Sequence, residues 1–78
     1  MTIVPIPNGA FVENCYLVID EAAQQCAIVD PGEDAGLILH RLEQAAVVPL
    51  AIWLTHAHLD HVLGVSQVRA ATGAPVFL

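Results

Sequence analysis

Three imidazoles and a carboxylate stand within six residues in the stretch Thr55-His56-Ala57-His58-Leu59-Asp60-His61. His56 and His58, at i and i+2, project to the same side of an extended or tightly turned segment. Two imidazoles so placed can converge on one metal ion at about 2.0–2.1 Å. Asp60 and His61 follow at once and offer an oxygen and a nitrogen donor. Their offset along the chain suits a second ion better than further ligands on the first. Neutral imidazole with carboxylate fits zinc, iron or manganese rather than an ion that prefers thiolate. A helical HExxH site needs its histidines at i and i+4, so the i, i+2 pair excludes that class. Without a ligand, four such groups crowded together would each need a separate polar partner. Metal binding is therefore the reading of this segment. The remaining histidine, His40, lies beside Arg41 on the polar face of an expected helix and is read as solvated.

The elements that must position this cluster follow from the pattern on either side. Ile3 to Ile6 reads as a short edge strand or a strand entrance, because Pro5 and Pro7 cannot donate to a ladder. Asn14 to Asp20 and Gln25 to Asp30 read as a hairpin closed over Glu21 to Gln24, with both faces apolar, as in strands covered on two sides. Asp30-Pro31-Gly32 breaks the second strand as a turn. Asp34 is placed as the N-cap of a helix from Ala35 to about Ala46, with Ile38, Leu39, Leu42, Ala45 and Ala46 on one stripe. Leu50 to Leu54 is an unbroken apolar run, which predicts a fully buried strand after Pro49. The metal-binding stretch then sits at that strand's carboxyl end, where sites open in α/β sheets. A second helix over about Val62 to Thr72, capped by Gly73, leads to a last strand from Ala74 to Leu78. The order β, β-hairpin, α, β, α, β predicts an α/β chain (α+β in some schemes): a mixed sheet with helices packed on it.

Composition narrows the partners. Among 78 residues there are two basic side chains, Arg41 and Arg69, against eight acidic ones, for a formal charge of −6. No cluster of cations exists to neutralise phosphates, so neither nucleic acid nor an anionic membrane surface is an expected partner. No apolar run reaches the roughly 18 residues of a membrane span, and Met1 to Gly9 has no secretory pattern. A cytoplasmic location is expected. Register arithmetic pairs Asp20 with Gln25, Ile19 with Cys26 and Cys15 with Asp30. Cys15 and Cys26 then lie about 13 Å apart along the strands, beyond the roughly 7 Å that a disulfide tolerates, so both are expected as buried reduced thiols. Apolar types make up 56% of the chain, which is high for so small a domain with so much surface.

Leu54-Thr55-His56-Ala57-His58-Leu59-Asp60-His61 resembles the HxHxDH signature of the metallo-β-lactamase superfamily. Asn14-Cys15-Tyr16-Leu17-Val18, Ile28-Val29-Asp30-Pro31-Gly32 and Gly73-Ala74-Pro75-Val76-Phe77 resemble its glyoxalase-II-type (hydroxyacylglutathione hydrolase-like) branch, in that family's order. The resemblance implies the N-terminal half of an αβ/βα sandwich, with helices on one face of the sheet. It implies that His56 and His58 ligate a first metal and Asp60 and His61 a second, both zinc, with iron or manganese as alternatives. Asp60 would also serve as the catalytic carboxylate. Asp30, with Thr55, would support the metal loop without binding metal; on its residues alone, Asp30 is equally a turn-forming residue before proline. The implied substrate is a glutathione thioester such as S-lactoylglutathione, hydrolysed by metal-activated water.

The chain departs from that family in one respect. After His61 there is no histidine, aspartate, glutamate or cysteine, whereas the family completes its site with later ligands. The expectation is an incomplete domain, truncated after Leu78, whose missing C-terminal half or a second copy covers the bare sheet face. These 78 residues alone are expected to bind metal weakly and to be inactive. The competing expectation is a non-catalytic metal-binding or interaction module that self-associates through that face.

Overall fold

The computed structural model describes the backbone of residues 1–8, 13–32, 34–55 and 59–77, with side chains at all of these except 8, 13 and 59–64. Five strands and two helices run in the order β1 (Thr2–Asn8), β2 (Glu13–Asp20), β3 (Gln25–Val29), α1 (Ala35–Ala45), β4 (Val48–Trp53), α2 (Leu59–Thr72) and β5 (Val76–Phe77). The strands form one sheet in sequence order. β1, β2 and β3 are antiparallel neighbours, while β4 joins β3, and β5 joins β4, in parallel. This is the expected mixed sheet.

The hairpin has the register that the sequence predicts, with Asp20 opposite Gln25 and Ile19 opposite Cys26. Its turn is held locally: Asp20 Oδ1 accepts the Ala23 N–H at 3.3 Å, and Gln24 takes the left-handed conformation at φ 54°. Cys15 and Cys26 are both buried, free thiols. β1 is an edge strand, as its prolines require, but it extends over seven residues rather than four. Pro5 and Pro7 are two residues apart, so both can direct their missing N–H to the same, unpaired side.

One face of the sheet is covered. Ile6, Leu17, Ile28 and Ile52 from the strands pack with Ile38 and Leu42 of α1 and Val68 of α2 in a single buried cluster. Asp34 caps α1 as expected, its Oδ1 accepting the Leu37 N–H at 3.0 Å. Of the expected stripe, Ile38 and Leu42 are buried and Leu39 is half-buried, while Ala45 and Ala46 are exposed near the helix end. Gly73 ends α2 at φ 73°, its N–H donating to the Arg69 carbonyl at 2.8 Å.

Three expectations need correction. β4 starts at Val48 and includes Pro49, which the sequence places outside the strand. Cys26 pairs with Pro49 and Ala27 with Ala51, so Leu50 is the extra residue of a bulge. Pairing with β5 involves only Ile52 and Trp53; a bulge beyond the reach of the neighbouring strand is a place where proline is tolerated. Second, β4 is not fully buried. Ile52 is sealed, but Leu50 is 53% and Trp53 47% exposed, because the helices cover one face only. Ile3, Tyr16 and Phe77 are also exposed, and the register places them on the face opposite Ile52. Third, α2 begins at Leu59 rather than Val62, which brings Asp60 and His61 into its first turn.

The C-cap of α1 supplies a stability test. Ala46 holds φ 54° and ψ 44°, with its N–H shared between the Glu43 and Leu42 carbonyls. A left-handed conformation costs a residue with a Cβ roughly 1–2 kcal/mol, partly offset by the extra freedom that glycine gives the unfolded chain. Ala46→Gly should therefore stabilise the chain by about 0.5–1 kcal/mol. Urea unfolding followed by circular dichroism checks this, and a lowered midpoint would contradict the cap.

Candidate metal centre

The carboxyl ends of β3 and β4 lie side by side because the two strands are parallel neighbours. The Asp30 N–H donates to the Trp53 carbonyl at 2.9 Å, extending the ladder one residue past β3. Asp30 then turns out of the strand with φ 51°. Few residues with a Cβ accept that conformation, aspartate being among the more tolerant. Non-glycine residues held there cluster at functional sites.

The turn aims the Asp30 carboxylate across to Thr55. Oδ1 accepts the Thr55 N–H at 2.8 Å and Oδ2 accepts the Thr55 hydroxyl at 2.5 Å. Both are charge-assisted bonds of short length, the strong kind. They tie positions 25 residues apart in sequence. Thr55 immediately precedes His56. On the far side of residues 56–58, the chain enters α2 at Leu59. The stretch expected to bind metal is thus flanked in sequence by a clamp on one side and a helix start on the other.

Of the site residues expected from sequence, Asp30 and Thr55 are brought together. His56 and His58 lie outside the described residues. The backbone of Asp60 and His61 is in the first turn of α2, and their side chains lie outside the described residues. His40 is exposed on α1. The donor set itself, three imidazoles and a carboxylate on an approach fixed by Asp30, suits a divalent ion that takes nitrogen and oxygen ligands.

Two features of the surroundings were not singled out from sequence. One is the Trp53 carbonyl, which receives the Asp30 N–H. The other is Cys15, fully buried on β2. Burial first, then the Asp30 charge and Cys26, push its thiol up to about 12; burial also raises Cys26. Both thiols are therefore neutral at physiological pH. The hairpin register already placed Cys15 opposite Asp30, and that was the available signal.

Comparison with known proteins bears on this arrangement. The model of the metallo-β-lactamase superfamily matches residues 8–78. Hydroxyacylglutathione hydrolase of Pectobacterium atrosepticum is 46% identical over 68 residues, covering 87% of this chain and 26% of that protein. Among solved structures, the BLEG-1 B3 metallo-β-lactamase superposes with a TM-score of 0.90 at 38% identity, over 99% of this chain and 36% of that one. TTHA1623, solved in a di-iron-bound form, superposes with a TM-score of 0.83 at 39% identity, over 96% of this chain and 37% of that one. The chain spans between a quarter and about a third of the length of these relatives.

The clamp is open to direct test. Asp30→Gly keeps the left-handed turn and removes both acceptors, whereas Asp30→Asn keeps the turn and one carbonyl oxygen. A hydrogen bond to a charged group contributes about 1.5–3 kcal/mol, reduced here because Thr55 is exposed. Asp30→Gly should cost about 1–2 kcal/mol in urea unfolding, and Asp30→Asn less. An Asp30→Gly chain more stable than wild type by the roughly 0.5–1 kcal/mol that glycine gains in a left-handed turn would show that the clamp carries no weight.

The Cys15 thiol supplies a pH dependence. Its folded pKa is raised above the ordinary 9.0 to about 12, so folding favours the neutral form. That contribution is complete below about pH 9, and it declines as pH rises towards 12. Denaturation midpoints should fall across that alkaline window, and Cys15→Ala should flatten the fall. An unchanged slope in Cys15→Ala would assign the alkaline loss to other groups.

Proposed function

Because this chain belongs to the metallo-β-lactamase superfamily, we propose that it provides the metal-binding segment of a hydrolase that cleaves a glutathione thioester of the S-lactoylglutathione kind. The observation that carries this reading is the Asp30–Thr55 clamp at the residue before His56. His56 and His58 hold a first ion, and Asp60 and His61 a second. Asp60 also acts as the catalytic carboxylate. Zinc is the proposed metal, with iron and manganese accepted by the same donors; the di-iron form of TTHA1623 supports that tolerance. A divalent ion bound there supplies Lewis acidity to an acyl carbonyl and brings the pKa of water from 15.7 towards about 7.

The residues of this chain do the positioning. Asp30 fixes the entry to the metal loop through both of its oxygens, and Asp60 and His61 are carried on the first turn of α2. The thioester assignment is supported by the identity with hydroxyacylglutathione hydrolases, 46% over the matched region in one of them. Two donors per ion fall short of the three protein ligands usual in catalytic zinc sites. Hydrolysis by the whole protein therefore draws on ligands beyond His61. A cytoplasmic location agrees with two unpaired cysteines.

Zinc titration by calorimetry should detect binding to the 78-residue chain that His58→Ala abolishes, with lactoylglutathione turnover by this chain at background. Unchanged zinc stoichiometry in His58→Ala would refute the ligand assignment. Zinc-dependent turnover by the chain alone would refute the need for further ligands.

A second reading rests on the open sheet face, where Tyr16, Leu50, Trp53 and Phe77 are exposed and Trp53 stacks on Phe77 with ring centroids 4.8 Å apart. On this reading the chain is a non-catalytic metal-binding or interaction module that pairs through the face with a second copy or with a complementary half. Light scattering after gel filtration should then give a dimer that Trp53→Glu converts to monomer. A wild-type monomer at high concentration would remove self-association.

A further inference from the structure

One peptide group at the end of β4 is held from both sides. The Trp53 carbonyl accepts the Asp30 N–H at 2.9 Å on the β3 side, and the Leu54 N–H donates to the Phe77 carbonyl at 2.9 Å on the β5 side. That carbonyl and that N–H belong to the same peptide bond, the one joining Trp53 to Leu54. A peptide is planar, so its C=O and N–H turn together. Whatever keeps the Leu54 N–H on Phe77 therefore also keeps the Trp53 carbonyl aimed at Asp30. Asp30 leaves β3 from that bond into its left-handed turn and holds Thr55 with both oxygens.

The β5 side of this relay has little backbone behind it. β5 is two residues long, lies at the edge of the sheet and pairs only with Ile52 and Trp53. A ladder so short at an edge opens readily. What it has besides is a ring. Phe77 stands opposite Trp53, and the two rings stack with centroids 4.8 Å apart and planes 24° from parallel. That spacing lies within the favourable range for offset aromatic pairs. Trp53 is 47% and Phe77 43% exposed, so burial in the core does not impose the contact. The stack joins β5 to β4 on the uncovered side, at the residue whose carbonyl receives Asp30.

We propose that Phe77 is a positioning residue for the approach to His56: its ring, stacked on Trp53, holds the Trp53–Leu54 peptide in the plane on which the Asp30 turn and its grip on Thr55 depend. The ring acts through the backbone, from Phe77 to Leu54, from Trp53 to Asp30, and from Asp30 to Thr55. This role deepens the reading of Asp30 and Thr55 as the support of the metal-binding stretch and rests on that reading.

The test compares Phe77→Leu, Phe77→Tyr and Tyr16→Leu in the full chain without metal. Phe77→Leu keeps an apolar side chain and the backbone carbonyl but removes the stack, whereas Phe77→Tyr keeps the ring. Tyr16→Leu removes another exposed aromatic from the same face and controls for loss of apolar surface. Trp53 is the sole tryptophan, so its near-ultraviolet circular dichroism should weaken in Phe77→Leu and persist in Phe77→Tyr. Amide exchange by NMR should quicken about two- to tenfold at Leu54, Asp30 and Thr55 together in Phe77→Leu, the range that loss of one aromatic pair gives. Amides of the β2–β3 hairpin should not change once global stability is corrected. Phe77→Tyr should restore all three amides, and Tyr16→Leu should leave them as in wild type. Faster exchange at Leu54 alone would overturn the proposal, since β5 would then fray without reaching the clamp. An unchanged tryptophan signal in Phe77→Leu, or an equal effect of Tyr16→Leu, would overturn it too. If Phe77→Leu does not fold, Trp53→Leu removes the same stack from β4 and is judged by the same amides. Because no metal is used, failure here leaves the ligand assignment standing, and failure of the His58→Ala titration leaves the Phe77 relay standing.

Discussion

Two short bonds between one carboxylate and one threonine join the halves of this sheet. β1 to β3 form an antiparallel meander built from local contacts, whereas β4 and β5 arrive by parallel crossovers through helices. Asp30 stands where the first part ends, and Thr55 where the first parallel strand ends. Closing the intervening loop costs conformational entropy that the ladder between β3 and β4 must offset. The charge-assisted bonds add to that ladder at its last position, where fraying is otherwise expected. The left-handed backbone at Asp30 is the local cost of aiming the carboxylate sideways.

Much of this was legible from short-range signals. Asp34 three residues before Leu37, Gly73 after the last turn of α2, and a four-residue hairpin turn each act within a few positions, and each element formed where those residues placed it. The features that were not legible depend on neighbours far away in sequence. An apolar run such as Leu50 to Leu54 reports that both of its faces can be buried, but it carries no information on whether a layer lies against each. Pro49 reads locally as a break, and only the bulge opposite Cys26 and the short reach of β5 make it a strand residue. Ala46 carries no sign of its left-handed turn.

The site divides in the same way. The candidate donors stand out by type and spacing, which are chemical facts of the sequence. Their secondary structure is less legible: the spacing predicts that the second helix begins only at Val62, whereas Asp60 and His61 lie in the first turn of α2, where an acidic residue is favoured. The Asp30–Thr55 pairing is separated by 25 residues and followed only from the family resemblance. No local pattern could have supplied it.

The Asp30–Thr55 clamp and the open face meet at the end of β4. The Trp53 carbonyl accepts the Asp30 N–H while its ring lies stacked on Phe77 on the uncovered side of the sheet. One residue therefore belongs both to the backbone that holds Asp30 and to the exposed aromatic pair of the uncovered face. A layer packed on Trp53 and Phe77 would restrict the strand that carries the clamp, so covering the face and stiffening the approach to His56 are physically one event.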